Sequence, residues 1–151
     1  MTDPATSFSL VCRVQKHLCA FPLEHVIEIM RPLPTEPMRG APAFVTGVAV
    51  VRGSPAVVVD TARLLGDEAS DPTRFVAVRA RSRCIALAVD RVLGVHALAR
   101  ESMHSVPRLL HHTGERMISA LGTMDTELLL VLESTHVLPE DFLDGPARPA
   151  S

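Results

Sequence analysis

The sequence predicts a mainly β fold built from two small five-stranded barrels, on three observations. Short apolar runs of Val, Leu, Ala and Ile alternate along the chain with polar turns, at the spacing of strands rather than of helices. The stretch Gly47 to Asp60 reads as a hairpin, with Val48–Val51 and Val57–Val59 on either side of Arg52-Gly53-Ser54-Pro55. The whole pattern then occurs twice. At one constant offset Arg13, Ala20 and Val26 recur as Arg79, Ala86 and Val92, and the polar turns Gln15-Lys16-His17 and Arg81-Ser82-Arg83 coincide. At a slightly larger offset Val57-Val58-Val59-Asp60-Thr61 falls on Leu130-Val131-Leu132-Glu133-Ser134. Five strands per copy close naturally into a small barrel, which hides sheet edges. A copy of about 60 residues is marginal alone, so the two should share an interface.

Taken in order, residues 1–6 read as a loose tail and Phe8–Val14 as the first strand. Leu18–Phe21 is the second strand, after the turn at Gln15-Lys16-His17. Pro22-Leu23-Glu24-His25 suits one helical turn, because proline is tolerated at a first helical position. Val26–Met30 is a third strand. Residues 31–42 contain Pro32, Pro34, Pro37 and Pro42 and must be an extended loop. In the central hairpin the break is expected to span Arg52 to Pro55, with proline ending the ladder. Asp60 then caps a turn over Thr61–Leu65.

Residues 66–72 form an acidic linker. Arg74–Ala80, Cys84–Val89 and Val92–Val95 continue the strands, and residues 96–115 show no clear period. Met117–Thr123 and Leu128–Leu132 close the second copy, with a helical turn over Glu133–Leu138 and a frayed tail over residues 144–151. The organisation expected is one domain over residues 7–140, made of two similar halves, 8–65 and 74–138.

Composition narrows the function. Hydrophobic residues make up 47% of the 151 and aromatic residues only 3%, so the core must be aliphatic. A formal charge of -2, with both signs spread out, gives no basic stripe, and without Trp or Tyr there is no platform for stacking bases. No nucleic-acid partner is expected. No apolar run is long enough to span a bilayer, so no membrane insertion is expected, and Met1-Thr2-Asp3-Pro4 does not look like a signal sequence. Cys12, Cys19 and Cys84 sit in apolar segments and read as reduced thiols of a cytoplasmic protein.

Catalytic motifs are missing. The pair Gly47 and Gly53 lacks the Lys-Ser/Thr of a phosphate loop, and no Gly-x-Ser-x-Gly elbow occurs. Adjacent histidines such as His111 and His112 point to opposite faces of a strand, which is poor for one metal ion, and His104 does not repair the spacing. Asp60, Asp90 and Glu133 end apolar strands and are explained by turns and capping. The expectation is therefore no catalytic residue, no metal and no cofactor. Glu28 on the third strand and Arg52 at the hairpin tip are charges on an apolar background, able to pair if their strands meet.

The run Pro42-Ala43-Phe44-Val45-Thr46-Gly47-Val48-Ala49-Val50-Val51-Arg52-Gly53, followed by Val57-Val58-Val59-Asp60, resembles the signature of CheW-type chemotaxis coupling proteins. Leu23–Ile29, Leu87–Val95, Leu121-Gly122 and Leu128–Leu132 fit as well, so the resemblance covers about residues 7–140. It departs where the signature has Asn and Leu, here Val50 and Val51, and where a proline follows the hairpin, here Val57 with the proline at Pro55. The resemblance implies two SH3-like barrels and a non-catalytic adaptor. Its implied partners are the regulatory domain of a CheA-type histidine kinase and the cytoplasmic tips of chemoreceptors, whose helices dock in an apolar groove near the barrel junction. It places Arg52 at the position important for receptor coupling, with Glu28 as its acidic partner and Val26, Ile29, Val51 and Gly53 around them. It also implies a cytoplasmic protein recruited to membrane-associated receptor arrays, with weak self-association through the barrel ends. Two alternatives stand beside it. One is a small-ligand sensor or enzyme using the histidine-rich stretch 96–112. The other is a decoy of the same fold that binds kinase without coupling receptors.

Overall fold

The computed structural model describes residues 6–69, 71–104 and 118–133. Among these residues ten strands form: β1 (Thr6–Val14), β2 (His17–Pro22), β3 (Val26–Met30), β4 (Val45–Val51), β5 (Ser54–Asp60), β6 (Arg74–Ala80), β7 (Arg83–Val89), β8 (Arg91–Ala99), β9 (Ile118–Met124) and β10 (Glu127–Leu132). Among the described residues helix is confined to a 3₁₀ turn at Leu23–His25, one α turn, α1 (Thr61–Leu64), and a 3₁₀ turn at Arg100–Ser102. Asp60 caps α1 as expected, its side chain accepting from the backbone N–H groups of Ala62 and Arg63.

Two five-stranded sheets result, ordered β8-β1-β2-β10-β9 and β3-β6-β7-β5-β4. Both have the same plan, since replacing each strand by its repeat equivalent turns one order into the other. The two sequence copies, however, do not fold as two separate sheets. The first sheet joins β1 and β2 of the first copy to β8, β9 and β10 of the second, and the other sheet does the converse. The exchange is made by two parallel ladders, β2 with β10 (Cys19 opposite Leu130) and β5 with β7 (Val58 opposite Ala86). Every other ladder is antiparallel.

Each sheet curls so that its edges approach, but neither is a closed barrel. Among the described residues a single bridge joins the edges of each sheet where a full ladder would be needed. Downstream of β3, Glu36 exchanges two backbone hydrogen bonds with Val48 of β4, at 2.9 and 2.8 Å. Downstream of β8, His104 does the same with Leu121 of β9, at 2.7 and 2.8 Å. These two clasps occupy equivalent places in the two copies.

The largest apolar cluster lies between the sheets. It takes Leu10, Cys12, Cys19, Phe21, Leu130 and Leu132 from one and Val57, Val59, Val76, Val78, Ile85 and Leu87 from the other. The concave faces hold smaller cores: Val11, Leu18, Ala20, Leu98 and Leu129 in the first sheet, and Ala49, Val58, Phe75, Ala86 and Ala88 in the second. Strands such as β5 and β7 are thus buried on both faces, which is why they read as unbroken apolar runs rather than as alternation.

Three sequence expectations shift. The central hairpin has a two-residue loop, Arg52-Gly53, and Ser54 and Pro55 belong to β5, opposite Val51 and Val50. Proline is accommodated because its ring nitrogen faces away from β4 at that position, and the ladder to β7 begins only at Val57. The strand expected at Val92–Val95 runs on to Ala99, pairing with β1 as an edge strand that mixes exposed and half-buried residues. β1 starts at Thr6, the last residue of the expected tail. The helical turn expected after Glu133 and the tail at 144–151 lie outside the described residues.

Gly47 is the tightest point of the fold. It sits at a break in the β4–β5 register with φ 156°, and a Cβ placed there would stand 1.9 Å from the carbonyl oxygen of Glu36. Gly53, at φ 79°, has open space around it. Gly47→Ala should therefore force the Glu36–Val48 clasp open and cost about 3 kcal/mol, against about 1 kcal/mol for Gly53→Ala, where only backbone strain is added. Urea unfolding of the two variants side by side checks the difference.

Candidate functional site

Because β5 and β7 are parallel, the hairpin tips that precede them lie at the same end of their sheet. One tip is Arg52-Gly53, the other Arg81-Ser82. Arg52 has φ 50° and Gly53 φ 79°, both positive as the common two-residue hairpin turn demands. A left-handed conformation costs an arginine about 1–2 kcal/mol, so the hairpin's twist imposes it and side-chain preference does not. The result is an arginine held clear of the sheet, its side chain 72% exposed.

Glu28 meets it from the opposite edge strand, β3. The Arg52 Nε donates to Glu28 Oε2 at 2.8 Å and a terminal nitrogen donates to the same oxygen at 2.5 Å. These hydrogen bonds, and then the Glu28 charge, raise the Arg52 pKa above its ordinary value. The pair spans the seam between β3 and β4, the two edges that the Glu36–Val48 clasp also draws together.

The remaining residues expected here divide by face. Gly53 is exposed at the tip. Ile29 is exposed on β3 beside the pair, while Val26 is half-buried and packs on the inter-sheet core. Val51 is only 6% exposed and packs inward on Ala56 and Ala77, so it supports the tip from below and its side chain offers no surface. The exposed valine is its neighbour Val50, at 65%, with Ile27 exposed on β3. Val50 was missed because the four-residue break assumed for the hairpin hid the register, which decides which of Val50 and Val51 points out, whereas alternation along β3 already puts Ile27 on the exposed face of Ile29. Beneath the ion pair lies Cys84, half-buried among Val51, Ala56 and Ala77. Burial raises its thiol pKa, and the Glu28 charge adds to this.

Two further features went unread in the sequence. At the corresponding end of the first sheet Arg13 and Glu127 form a bidentate ion pair at 2.6 and 2.9 Å, joining β1 to β10 across β2. These hydrogen bonds hold the Glu127 carboxyl below its ordinary pKa. A cleft of about 690 Å³ opens next to the Leu23–His25 turn that carries the chain from one sheet to the other, lined by Phe8, Pro22, Leu23, Leu98, Met103 and Val131 with Ser7, Ser9 and Glu24. Of the histidine-rich stretch, His104 serves the second clasp through its backbone, and His111 and His112 lie outside the described residues. Among the described residues no three potential metal ligands converge, and no helix is long and apolar enough to cross a membrane.

The family model for the CheW-like domain matches residues 9–142. The chain belongs to the CheW family. Among characterised relatives it is similar to the chemotaxis protein CheW of Rhizobium meliloti, 26% identical over 119 residues that make up 77% of each chain. It is also similar to a probable chemotaxis protein CheW of Rhizobium etli, 24% identical over 118 residues and 76% of each chain. The fold is that of the crystal structure of the scaffolding protein TtCheW from Thermoanaerobacter tengcongensis. That match has a TM-score of 0.75 at 15% identity and covers 95% of this chain and 97% of that one. The chain is thus a CheW-like adaptor of the chemotaxis type, with the SH3-like sheet arrangement of its family.

The three thiols differ in environment. Burial pushes Cys12 and Cys19 up to about 12. Cys84 is less buried. With iodoacetamide at pH 8 the native protein should therefore take up one label, at Cys84. Peptide mass analysis showing label on Cys12 or Cys19 before unfolding would contradict the burial described.

Proposed function

We propose that this adaptor couples the cytoplasmic tips of chemoreceptors to the regulatory domain of a CheA-type histidine kinase, as a scaffold without catalysis, recruited in the cytoplasm to membrane-associated receptor arrays. The observation that carries the reading is the Glu28–Arg52 pair. It joins an exposed arginine to a half-buried glutamate at the β3–β4 seam, at the family position tied to receptor coupling. Exposed pairs add little to folding, so its use is at an interface. Ile27, Ile29 and Val50 supply apolar surface beside it, and an arginine that a partner buries among apolar neighbours is a common composition for an interface hot spot. The cleft beside the Leu23–His25 turn supports the same reading. It is largely apolar, with Ser7, Ser9 and Glu24 as its polar lining, and it lies on the first sheet beside the turn that leads to the second, which suits the side of a receptor helix.

Arg52→Ala should leave the melting temperature nearly unchanged and weaken binding to a receptor-tip fragment by about thirty-fold, with a smaller effect on binding to the kinase regulatory domain. Calorimetric titration of the purified variant against each fragment separately reads both. Unfolding of the variant would make Arg52 structural, and wild-type affinity for both fragments would remove the seam as the coupling surface.

A further inference from the structure

The segment between β3 and β4 has chemistry that the coupling seam does not use. Arg31-Pro32-Leu33-Pro34-Thr35-Glu36-Pro37-Met38 leaves β3 without helix or turn, bridges to β4 at Glu36, and ends in a turn at Arg39-Gly40. Proline fixes its own φ at about -65° and keeps the residue before it out of the helical region. Pro32, Pro34 and Pro37 thereby hold Arg31, Leu33 and Glu36 extended as well as themselves, in the range of a polyproline II helix. That helix has about three residues per turn, so Arg31, Pro34 and Pro37 fall on one ridge. All three are exposed. The anchors lie off the ridge: Leu33 packs on the concave core of the second sheet and Met38 on the inter-sheet core.

Holding the two edges together does not require this sequence. The equivalent segment of the second copy, Ala99-Arg100-Glu101-Ser102-Met103-His104, reaches its own clasp and packs Met103 on its own concave core without a proline. Among the described residues Arg31 makes neither an ion pair nor a side-chain hydrogen bond. The exposed cation and prolines are thus additions to a strap whose structural work lies in Leu33, Glu36 and Met38.

We propose that the ridge of Arg31, Pro34 and Pro37 is a docking segment for a partner protein whose surface carries a groove of aromatic side chains with a carboxylate at one end. The spacing selects that chemistry. An aromatic-lined groove grips proline rings on successive turns, and a carboxylate beside it takes the guanidinium in bidentate fashion. Arg-x-x-Pro-x-x-Pro sets one cation and two prolines at the same interval. The prolines, the packed anchors and the Glu36–Val48 clasp hold the segment in place before a partner arrives, so little ordering entropy is lost on binding. A second copy of this chain is a poor occupant, because it has no Trp or Tyr to line such a groove. This docking segment does not rest on the coupling reading and stands or falls without it.

The test is titration of the isotope-labelled full-length protein with a panel of purified SH3, WW and EVH1 domains, which carry such grooves, followed through amide chemical shifts. At least one domain should bind and shift the amides of Arg31, Leu33, Thr35 and Glu36. Pro34→Ala with Pro37→Ala should weaken that binding at least about tenfold, and Arg31→Glu about tenfold. Arg39→Glu, which reverses an exposed charge in the turn beyond the ridge, should bind like wild type. Melting temperatures are measured alongside. If the double proline variant fails to fold, the exposed Arg31→Glu variant decides. Absence of binding by every domain, shifts confined to other parts of the chain, or wild-type affinity in a folded ridge variant overturns the docking segment. So does a loss in Arg39→Glu as large as that in Arg31→Glu.

Discussion

The parallel pairing of β2 with β10 and of β5 with β7 is the constraint on which the rest of this molecule depends. Each ladder joins a hairpin of one sequence copy to a hairpin of the other, so neither copy holds a complete sheet. Along Leu18–Ala20 and Val57–Asp60 the backbone groups that face away from their own hairpin partner find theirs across the copies. The main core between the sheets adds to the interlock, because its residues come from both sheets and so from both copies. Parallel strands also align the tips that precede them, and this alone puts Arg52 beside the β6–β7 hairpin and Arg13 within reach of Glu127.

A duplicated scaffold with a shared core lets the two ends diverge in chemistry while the backbone stays the same. The first loop residue is left-handed in all four two-residue hairpins, Gln15, Arg52, Arg81 and Asp125, and these fall into two equivalent pairs. The backbone device is thus held constant while the side chain on it changes from arginine to aspartate between equivalent tips. Glu28 corresponds to Gly94, so the seam of the first sheet has no counterpart to the Glu28–Arg52 pair. Exposed apolar residues persist on both edge strands, Ile27 and Ile29 on β3 and Leu93 and Val95 on β8. What distinguishes the β3–β4 seam is its charge and not its hydrophobicity.

Much of this was legible in the sequence because it is local. Strand limits at Val26–Met30 and Arg74–Ala80, the Asp60 cap and the turn at Leu23–His25 follow from pattern, capping and proline chemistry within a few residues. The Glu28–Arg52 pairing was accessible once their strands were supposed to meet. The family resemblance supplied the surroundings of the site, but Val51 proved buried, because the face a hairpin residue takes is set by loop length. The exchange of strands between copies was not legible, since both copies offer similar apolar strands and nothing in a short run of valines names its neighbour. The role of Gly47 was hidden for the same reason: its need for glycine comes from the Glu36 carbonyl, which a proline-rich loop delivers from outside the strand. The far end of β8 escaped because His96 and Ala97 interrupt the apolar alternation on an edge strand that is packed only lightly.

The interlocked pairing is tested most directly by native-state hydrogen exchange across a denaturant series. Amides of Ala20 and Leu130 in one parallel ladder, and of Val59 and Ala86 in the other, should converge on a single unfolding free energy, because opening either ladder exposes the core that the two sheets share. If one set exchanges through its own lower-energy opening while the other stays protected, the sheets are independent units and the account of how the hairpin tips are held together is wrong.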